Sequence, residues 1–299
     1  MQVPWLQAGQ VGLGPGRPLI LAIGMALDFF PVGTFGLQPT GVLLNRVFAD
    51  YTVQVQFSES LLWQAARLDS IDFSASCVVC TNGQPAGAAL VARRGWTSRV
   101  AGMALLPAAR RCGVGRALME HLIAEAKARG DRRMVLEVID SNVAAVRLYE
   151  AVGFQSVRRL VGFAGPPPAG LVAVPALAEA DLRSVAAALV RQEAVGWPWQ
   201  LSGETIAQLT PPAVGYALDG AWVALVNPAG LQVTIRALAV DGDGDREVRA
   251  VRLLHAVMAR HPATEWRMSA LWPEELGSWI TGAGLQRREL AQWQMARAL

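Results

Sequence analysis

The sequence predicts an α/β fold: two tandem halves, each a mixed α+β sheet with flanking helices. Three observations carry this. Along both halves, segments with strand-like patterning alternate with segments of helical spacing. The run Ala164-Gly165-Pro166-Pro167-Pro168-Ala169-Gly170 interrupts them, since proline fixes φ and lacks the N–H that a helix interior or central strand requires. The order of elements on its two sides repeats at an offset of about 131 to 137 positions. The organisation expected is an N-terminal extension over 1–27, a first half over 28–163, a Pro-rich linker over 164–170 and a second half over 171–299.

Residues Met1 to Ala26 are rich in Gly and Pro without a clear period, which fits a flexible extension or an early start codon upstream of Met25. In the first half, helices are expected over Gly41–Tyr51 and Ser60–Leu68. Strands Ser76–Thr81 and Ala86–Ala92 form a hairpin, because Asn82-Gly83 adopts positive φ cheaply. A strand Arg99–Leu106 ends at Pro107, and the loop Ala108–Gly115 feeds a helix in which Leu118, Leu122 and Ala126 recur every four positions up to a capping Gly130. Strand Met134–Ile139, helix Asn142–Val152 and strand Ser156–Phe163 complete the half. The second half reads as strand Leu171–Ala178, helix Glu179–Val190, hairpin Val214–Leu218 with Trp222–Val226, strand Leu231–Val240, helix Arg246–Arg260, strand Trp266–Leu271 and helix Glu275–Thr281.

The 299 residues, 53% of them apolar, suffice for a sizeable core. A formal charge of +3 argues for neither nucleic acid nor a membrane surface. The apolar run Pro18–Leu27 is too short to span a bilayer, and three cysteines without a secretory signal point to a reducing, cytoplasmic setting. Cys77 and Cys80 spell C-x-x-C, but a three-residue offset on a strand sends their side chains to opposite faces, so no metal site is expected.

The central signal is Arg110-Arg111-Cys112-Gly113-Val114-Gly115-Arg116, set between a strand and the head of an amphipathic helix. Free N–H groups and the positive dipole end of a helix attract phosphate oxygens, and glycines let backbone approach closely. It is neither a Walker loop nor G-x-G-x-x-G, so a nucleotide triphosphatase is disfavoured. A second signal follows the next strand, where residues 142 to 154 read N-x-x-A-x-x-L-Y-x-x-x-G-F. Asn142 caps a helix, and Tyr149 lies two turns along near the same face. Taken singly, these are equally a Gly-rich turn, an N-cap and a half-buried aromatic.

Together, R-x-x-G-x-G and N-x-x-A-x-x-L-Y-x-x-x-G-F resemble the GNAT superfamily of acyl-CoA dependent N-acyltransferases, over about Asp28 to Phe163. The resemblance implies acetyl-CoA as co-substrate and no metal. It assigns the pyrophosphate to Arg110, Arg111, Cys112, Gly113, Val114, Gly115 and Arg116, the pantetheine arm to backbone groups of Met103, Ala104 and Leu105, and a cofactor contact to Asn142. Tyr149 takes the role of the acid that protonates the departing thiolate, which suits a phenol of reference pKa about 10. Glu137, ahead of Asp140, is the candidate base for an amine acceptor, a small molecule or peptide. A covalent route through Cys112 is the lesser reading, since its loop faces phosphates. The rival function is a non-catalytic acyl-CoA sensing module.

The second half reads as a degenerate, non-catalytic copy: aligning Gly284-Leu285 with Gly153-Phe154 puts Ile280 at the Tyr149 position and Pro273 at that of Asn142. Asp241-Gly242-Asp243-Gly244-Asp245 stands where phosphates would need cations. This half holds seven of ten tryptophans, among them Trp197, Trp199, Trp272 and Trp279. The second half is expected to complete the acceptor cleft or to form a homodimer interface, with ordinary core packing of these tryptophans the plainer reading. Asp50, Glu59, Asp69 and Asp72 border the acceptor side in the family and would attract a cationic amine.

Overall fold

The computed structural model of the chain describes residues 19–20, 25–49, 55–261 and 263–299. Most of the extension expected over 1–27, Asp50 and the end of the helix expected to reach Tyr51 lie outside the described residues. The first half runs β1 (Leu19–Ile20), β2 (Ala26–Pro31), α1 (Val32–Phe35), α2 (Leu37–Val47), α3 (Glu59–Asp69), β3 (Cys77–Thr81), β4 (Gln84–Arg94), β5 (Thr97–Leu105), α4 (Val114–Ala128), β6 (Arg133–Ile139), α5 (Val143–Ala151) and β7 (Gln155–Gly165). The second runs β8 (Ala178–Ala180), α6 (Leu182–Arg191), α7 (Gly203–Ile206), β9 (Val214–Leu218), β10 (Ala221–Val226), β11 (Gln232–Val240), α8 (Arg246–Arg260), β12 (Glu265–Pro273), α9 (Ser278–Thr281) and β13 (Gln286–Ala298).

Local chemistry sets these elements. Asn82 and Gly83, at φ 48° and 76°, turn β3 into β4. Ser58 and Asn142 accept the orphan N–H groups of Leu61 and Ala145 and so start α3 and α5. Leu118, Leu122 and Ala126 form the buried stripe of α4. β2 begins ahead of the boundary placed at residue 28, and its Leu27 is buried.

Among the described residues the strands form one mixed sheet in the order β1-β2-β3-β4-β5-β6-β13-β7-β12-β11-β10-β9-β8. The two halves exchange their last strands. β13 lies antiparallel between β6 and β7, from Gln292 opposite Ile139 to Ala298 opposite Arg133, and β7 in turn pairs with β12. Ala164 and Gly165 are the end of β7, opposite Arg267 and Trp266, so only the rest of the 164–170 run leaves the sheet. On one face α4 packs Leu118 into a cluster with Val79, Met134, Leu136 and Met295; on the other, α2 and α3 pack Leu44 and Leu62 with Val78 and Leu90. Cys77 lies in the first cluster and Cys80 in the second, as the odd offset predicts.

The strand expected over Leu171–Ala178 does not form, since Pro175 denies it a ladder donor; Leu171, Val174 and Leu177 instead pack on the second-half core from irregular backbone. The helix expected over Glu275–Thr281 divides into a 3₁₀ turn, Glu274–Leu276, and the short α9.

Removing residues 286–299 strips β6 and β7 of their shared neighbour and exposes the pocket of Met295. The truncated chain is expected to aggregate on size exclusion and to lose a cooperative thermal transition; a monomer with a sharp melt would show that β13 is dispensable.

Candidate functional site

The site begins where two parallel strands part. β5 and β6 pair from Thr97 with Arg133 to Val100 with Leu136 and no further. Ala101 is an extra residue in β5, because the β4 register shifts there, with Gly102 opposite Leu90 and Val100 opposite Val91. Such a bulge bends a strand and increases its twist. Beyond it, Met103, Ala104 and Leu105 keep β4 on one edge, while their other edge, which β6 has left, is open to a ligand.

The loop after β5 is held by its own atoms. Arg110 donates Nε–H to the Leu105 carbonyl at 2.9 Å and Cys112 Sγ donates to the Ala109 carbonyl at 3.2 Å. Arg111 and Gly113 stand at φ 63° and 88°, which turns the chain into α4. The first N–H of that helix to find a main-chain acceptor is that of Ala117, on the Gly113 carbonyl. The preceding N–H groups, Arg111 to Arg116, have no acceptor among the described residues. A helix start leaves such donors bare, and the turn extends the row. A Cβ on Gly115 would lie 3.4 Å from Leu148 and 3.5 Å from Leu105, ordinary packing distances, so this turn of α4 rests directly on the side chains of β5 and α5. The arginines have separate duties: Arg110 closes the turn, Arg116 pairs with Glu120 at 2.8 Å, and Arg111 makes no ion pair among the described residues.

The parting strands open on a cavity of about 820 Å³ lined by Met103, Glu137, Asn142 and Tyr149 together with Phe48 and Phe57. Its volume is ample for a small ligand. The structure thus gathers four of the sequence-predicted residues; Arg110 to Arg116 do not line this cavity and join it through Gly115, beside Met103. Asn142 spends its Oδ1 on the Ala145 N–H at 3.2 Å, which leaves its NH₂ as a donor. Tyr149 is 7% exposed and sits 6.0 Å from the Phe154 ring. Glu137 is held by Arg99, whose Nε and Nη2 both lie 2.7 Å from its Oε2; the side chains are 3% and 6% exposed. Asp140 is engaged by Arg159 at 2.6 Å and does not line the cavity.

The far wall of this cavity comes from the second half, through residues that sequence reasoning did not name: Gln200, Gln232, Thr234, Arg267 and Gln292. The tryptophans expected there do not line it; Trp266, Trp272 and Trp279 are buried in the second-half core. Of the acidic residues expected at the acceptor side, Glu59, Asp69 and Asp72 lie outside the cavity wall; Asp72 pairs with Arg93 and caps the turn at Ser74 and Ala75. Its carboxyl is pulled below the ordinary range by Arg93 and these backbone donors, against the opposing effect of burial. In the acidic loop, Asp241 is committed to Arg191 and the Trp222 indole. His121 stacks on Phe29 at 4.3 Å, and His261 is bonded to the Tyr216 hydroxyl.

Residues 43–154 match the acetyltransferase (GNAT) family. That span holds the loop and all six first-half cavity residues named above. A stretch of 59 residues is 49% identical to the ribosomal protein bS18-alanine N-acetyltransferase of Escherichia coli K12, which is 19% of this chain and 40% of that one. The chain therefore spans less than half the length of the curated relatives it matches. A GCN5-related N-acetyltransferase from Sphaerobacter thermophilus superposes with a TM-score of 0.61 at 16% identity, covering 91% of this chain and 95% of its own. A tandem GNAT protein from the clavulanic acid biosynthesis pathway gives 0.58 at 15%, with 91% and 98% covered. At these identities the likeness is one of fold, and the fold is a tandem GNAT arrangement. No helix among the described residues is long and apolar enough to cross a membrane.

Burial pushes the Cys77 and Cys80 thiols up to about 12 and about 11, whereas Cys112 is half-buried. Ellman's reagent at pH 8 is expected to titrate Cys112 alone in the native protein and all three thiols in denaturant. Prompt reaction of two or more native thiols would contradict the buried placement of β3.

Proposed function

We propose that the protein is an N-acetyltransferase that moves an acetyl group from acetyl-CoA to an amine of a small molecule or peptide, with its chemistry in residues 28–163. The observation that carries this reading is the convergence, at one strand opening, of a row of unpaired N–H groups, an open β edge and a buried tyrosine. Acetyl-CoA supplies an acyl group activated as a thioester. The Arg111–Arg116 amides suit its diphosphate, each such contact contributing about 0.3 to 1 kcal/mol, and the open edge of Met103, Ala104 and Leu105 suits a pantetheine arm.

In this reading Glu137 accepts a proton from the acceptor's ammonium, directly or through water. The freed nitrogen attacks the thioester carbonyl, so that a C–N bond forms as the C–S bond breaks. Tyr149 gives its phenolic proton to the departing sulfur and regains one from the acylated nitrogen; the net release is one proton. Holding amine and thioester in line supplies much of the acceleration.

The second half serves as a degenerate partner that walls the acceptor cavity. Two turns support the alignment: Gly153 and Gly284 both have positive φ, at 87° and 95°, and the N–H groups of Phe154 and Leu285 return to the carbonyls of Tyr149 and Ile280. Ile280 is buried and has no proton to give. The bS18-alanine N-acetyltransferase relative makes an alanine amine of a protein one acceptor to test beside small amines. A cytoplasmic setting agrees with two buried thiols.

Tyr149→Phe is expected to lower kcat by about 10² to 10⁴ while acetyl-CoA affinity stays within about threefold. An unchanged kcat in a thiol-release assay would remove Tyr149 as the acid. Gly113→Val, forcing a β-branched residue to φ 88°, is expected to weaken acetyl-CoA binding by about tenfold or more in calorimetry. Unaltered affinity would mean that this loop does not hold the diphosphate.

A further inference from the structure

The second half reaches into the candidate site through one short segment. Residues Trp199–Leu201 form a 3₁₀ turn followed directly by α7. Arg94, on β4 of the first half, grips both: Nη1 donates to Ser202 Oγ at 2.8 Å, Nη2 donates to Thr205 Oγ1 at 2.7 Å, and the guanidinium lies 4.2 Å from the centre of the Trp199 ring. The Trp199 indole donates to the Asp69 carbonyl at 2.8 Å, and its ring is buried in the first-half cluster with Leu90, Ala92 and Val135. A cation over an indole face and a buried aromatic anchor together fix a segment firmly.

The residue this clamp delivers is Gln200. Its Nε2 lies 3.5 Å from Glu137 Oε2, and both residues line the cavity beside Tyr149. Arg99 occupies Glu137 Oε2, which leaves Oε1 buried without a donor; Gln200 Oε1 is likewise buried without a donor. Two acceptor oxygens from opposite halves, each shielded and each lacking a hydrogen-bond partner, are costly unless a ligand supplies the donors. A primary ammonium carries three N–H donors and a charge that complements the carboxylate. Phe48, Phe57, Leu90 and Met103 line the same cavity with apolar surface.

We propose that Glu137 Oε1 and Gln200 Oε1 together bind the ammonium of the acceptor, and that the acceptor is a primary amine on an apolar carbon body. The inference rests on the acetyltransferase reading for its chemistry, but binding of the amine is separable from turnover. It also gives the second half a direct part in recognition: the clamp on Trp199 sets where Gln200 stands.

The test uses the full chain and 2-phenylethylamine, with binding measured by calorimetry and turnover by thiol release from acetyl-CoA. Gln200→Leu is expected to weaken amine binding and raise its KM about ten- to a hundredfold, with a smaller effect on kcat and none beyond about twofold on the Kd for acetyl-CoA. Gln200→Glu keeps an acceptor oxygen and should restore the amine KM to within about fivefold. 2-Phenylethanol, with one donor and no charge, should bind the native protein at least about tenfold more weakly than the amine. Equal amine affinity in the native and Gln200→Leu chains, or no amine binding by a protein that binds acetyl-CoA, overturns the proposal. Amine binding lost in Gln200→Leu but without any acyl transfer would uphold it and overturn the enzymatic reading. Should Gln200→Leu fail to fold, Gln200→Met carries the same comparison.

Discussion

The antiparallel pairing of β13 with both β6 and β7 is the constraint on which the rest of the structure depends. It joins two half-sheets into one and buries Met295 beneath α4. It also stiffens β6 on the edge away from β5, with Gln294 directly opposite Glu137. β6 can therefore leave β5 after Leu136 without fraying, because its ladder on the other side runs on to Ile139. An opening between parallel strands inside a sheet leaves unpaired backbone on both of its edges. Here these are the β5 edge from Met103 to Leu105 and the β6 edge beyond Leu136, while β13 holds β6 from its other side.

Around that opening the polar groups divide into those already satisfied and those kept in reserve. Arg110, Arg116 and Asp140 have partners within the protein and shape it. The Arg111–Arg116 amides and one oxygen each of Glu137 and Gln200 do not. The two oxygens are shielded from water, so leaving them without a donor is costly. The loop thus leaves backbone donors without partners, and the cavity leaves acceptor oxygens without partners.

Much of this was legible in the residues because the signals were local. Asn82-Gly83, the four-residue stripe of α4 and the Asn142 cap each act within a few positions, and the structure places all three as read. Met103, Glu137, Asn142 and Tyr149 meet because a strand, a turn and a helix follow one another closely. The strand exchange was not legible: β13 carries Arg287, Arg288 and Glu289 at its start and alternates poorly, and its partners lie more than a hundred positions away. β2 was missed for a related reason, since its run Leu27 to Phe30 follows the Gly- and Pro-rich beginning. That the second half completes the cleft was expected, but its wall residues escaped for the same cause as β13, because nothing near Gln200 in the sequence points to Glu137. The aromatic wealth of the second half drew attention to tryptophans that turned out to be core.

The exchanged strands also bear on how the chain acquires its shape. Synthesis proceeds from the N-terminus, and β6 and β7 emerge long before residues 286–298 are made. Until then β6 has its parallel mate on one side only, and contacts of such long sequence separation are slow to form. A nascent chain carrying β2 to β7 therefore spends the interval with two adhesive strands uncovered, a state in which chaperone shielding has most to offer. The arrangement that welds the halves together in the finished molecule is the one that leaves the growing molecule unfinished longest.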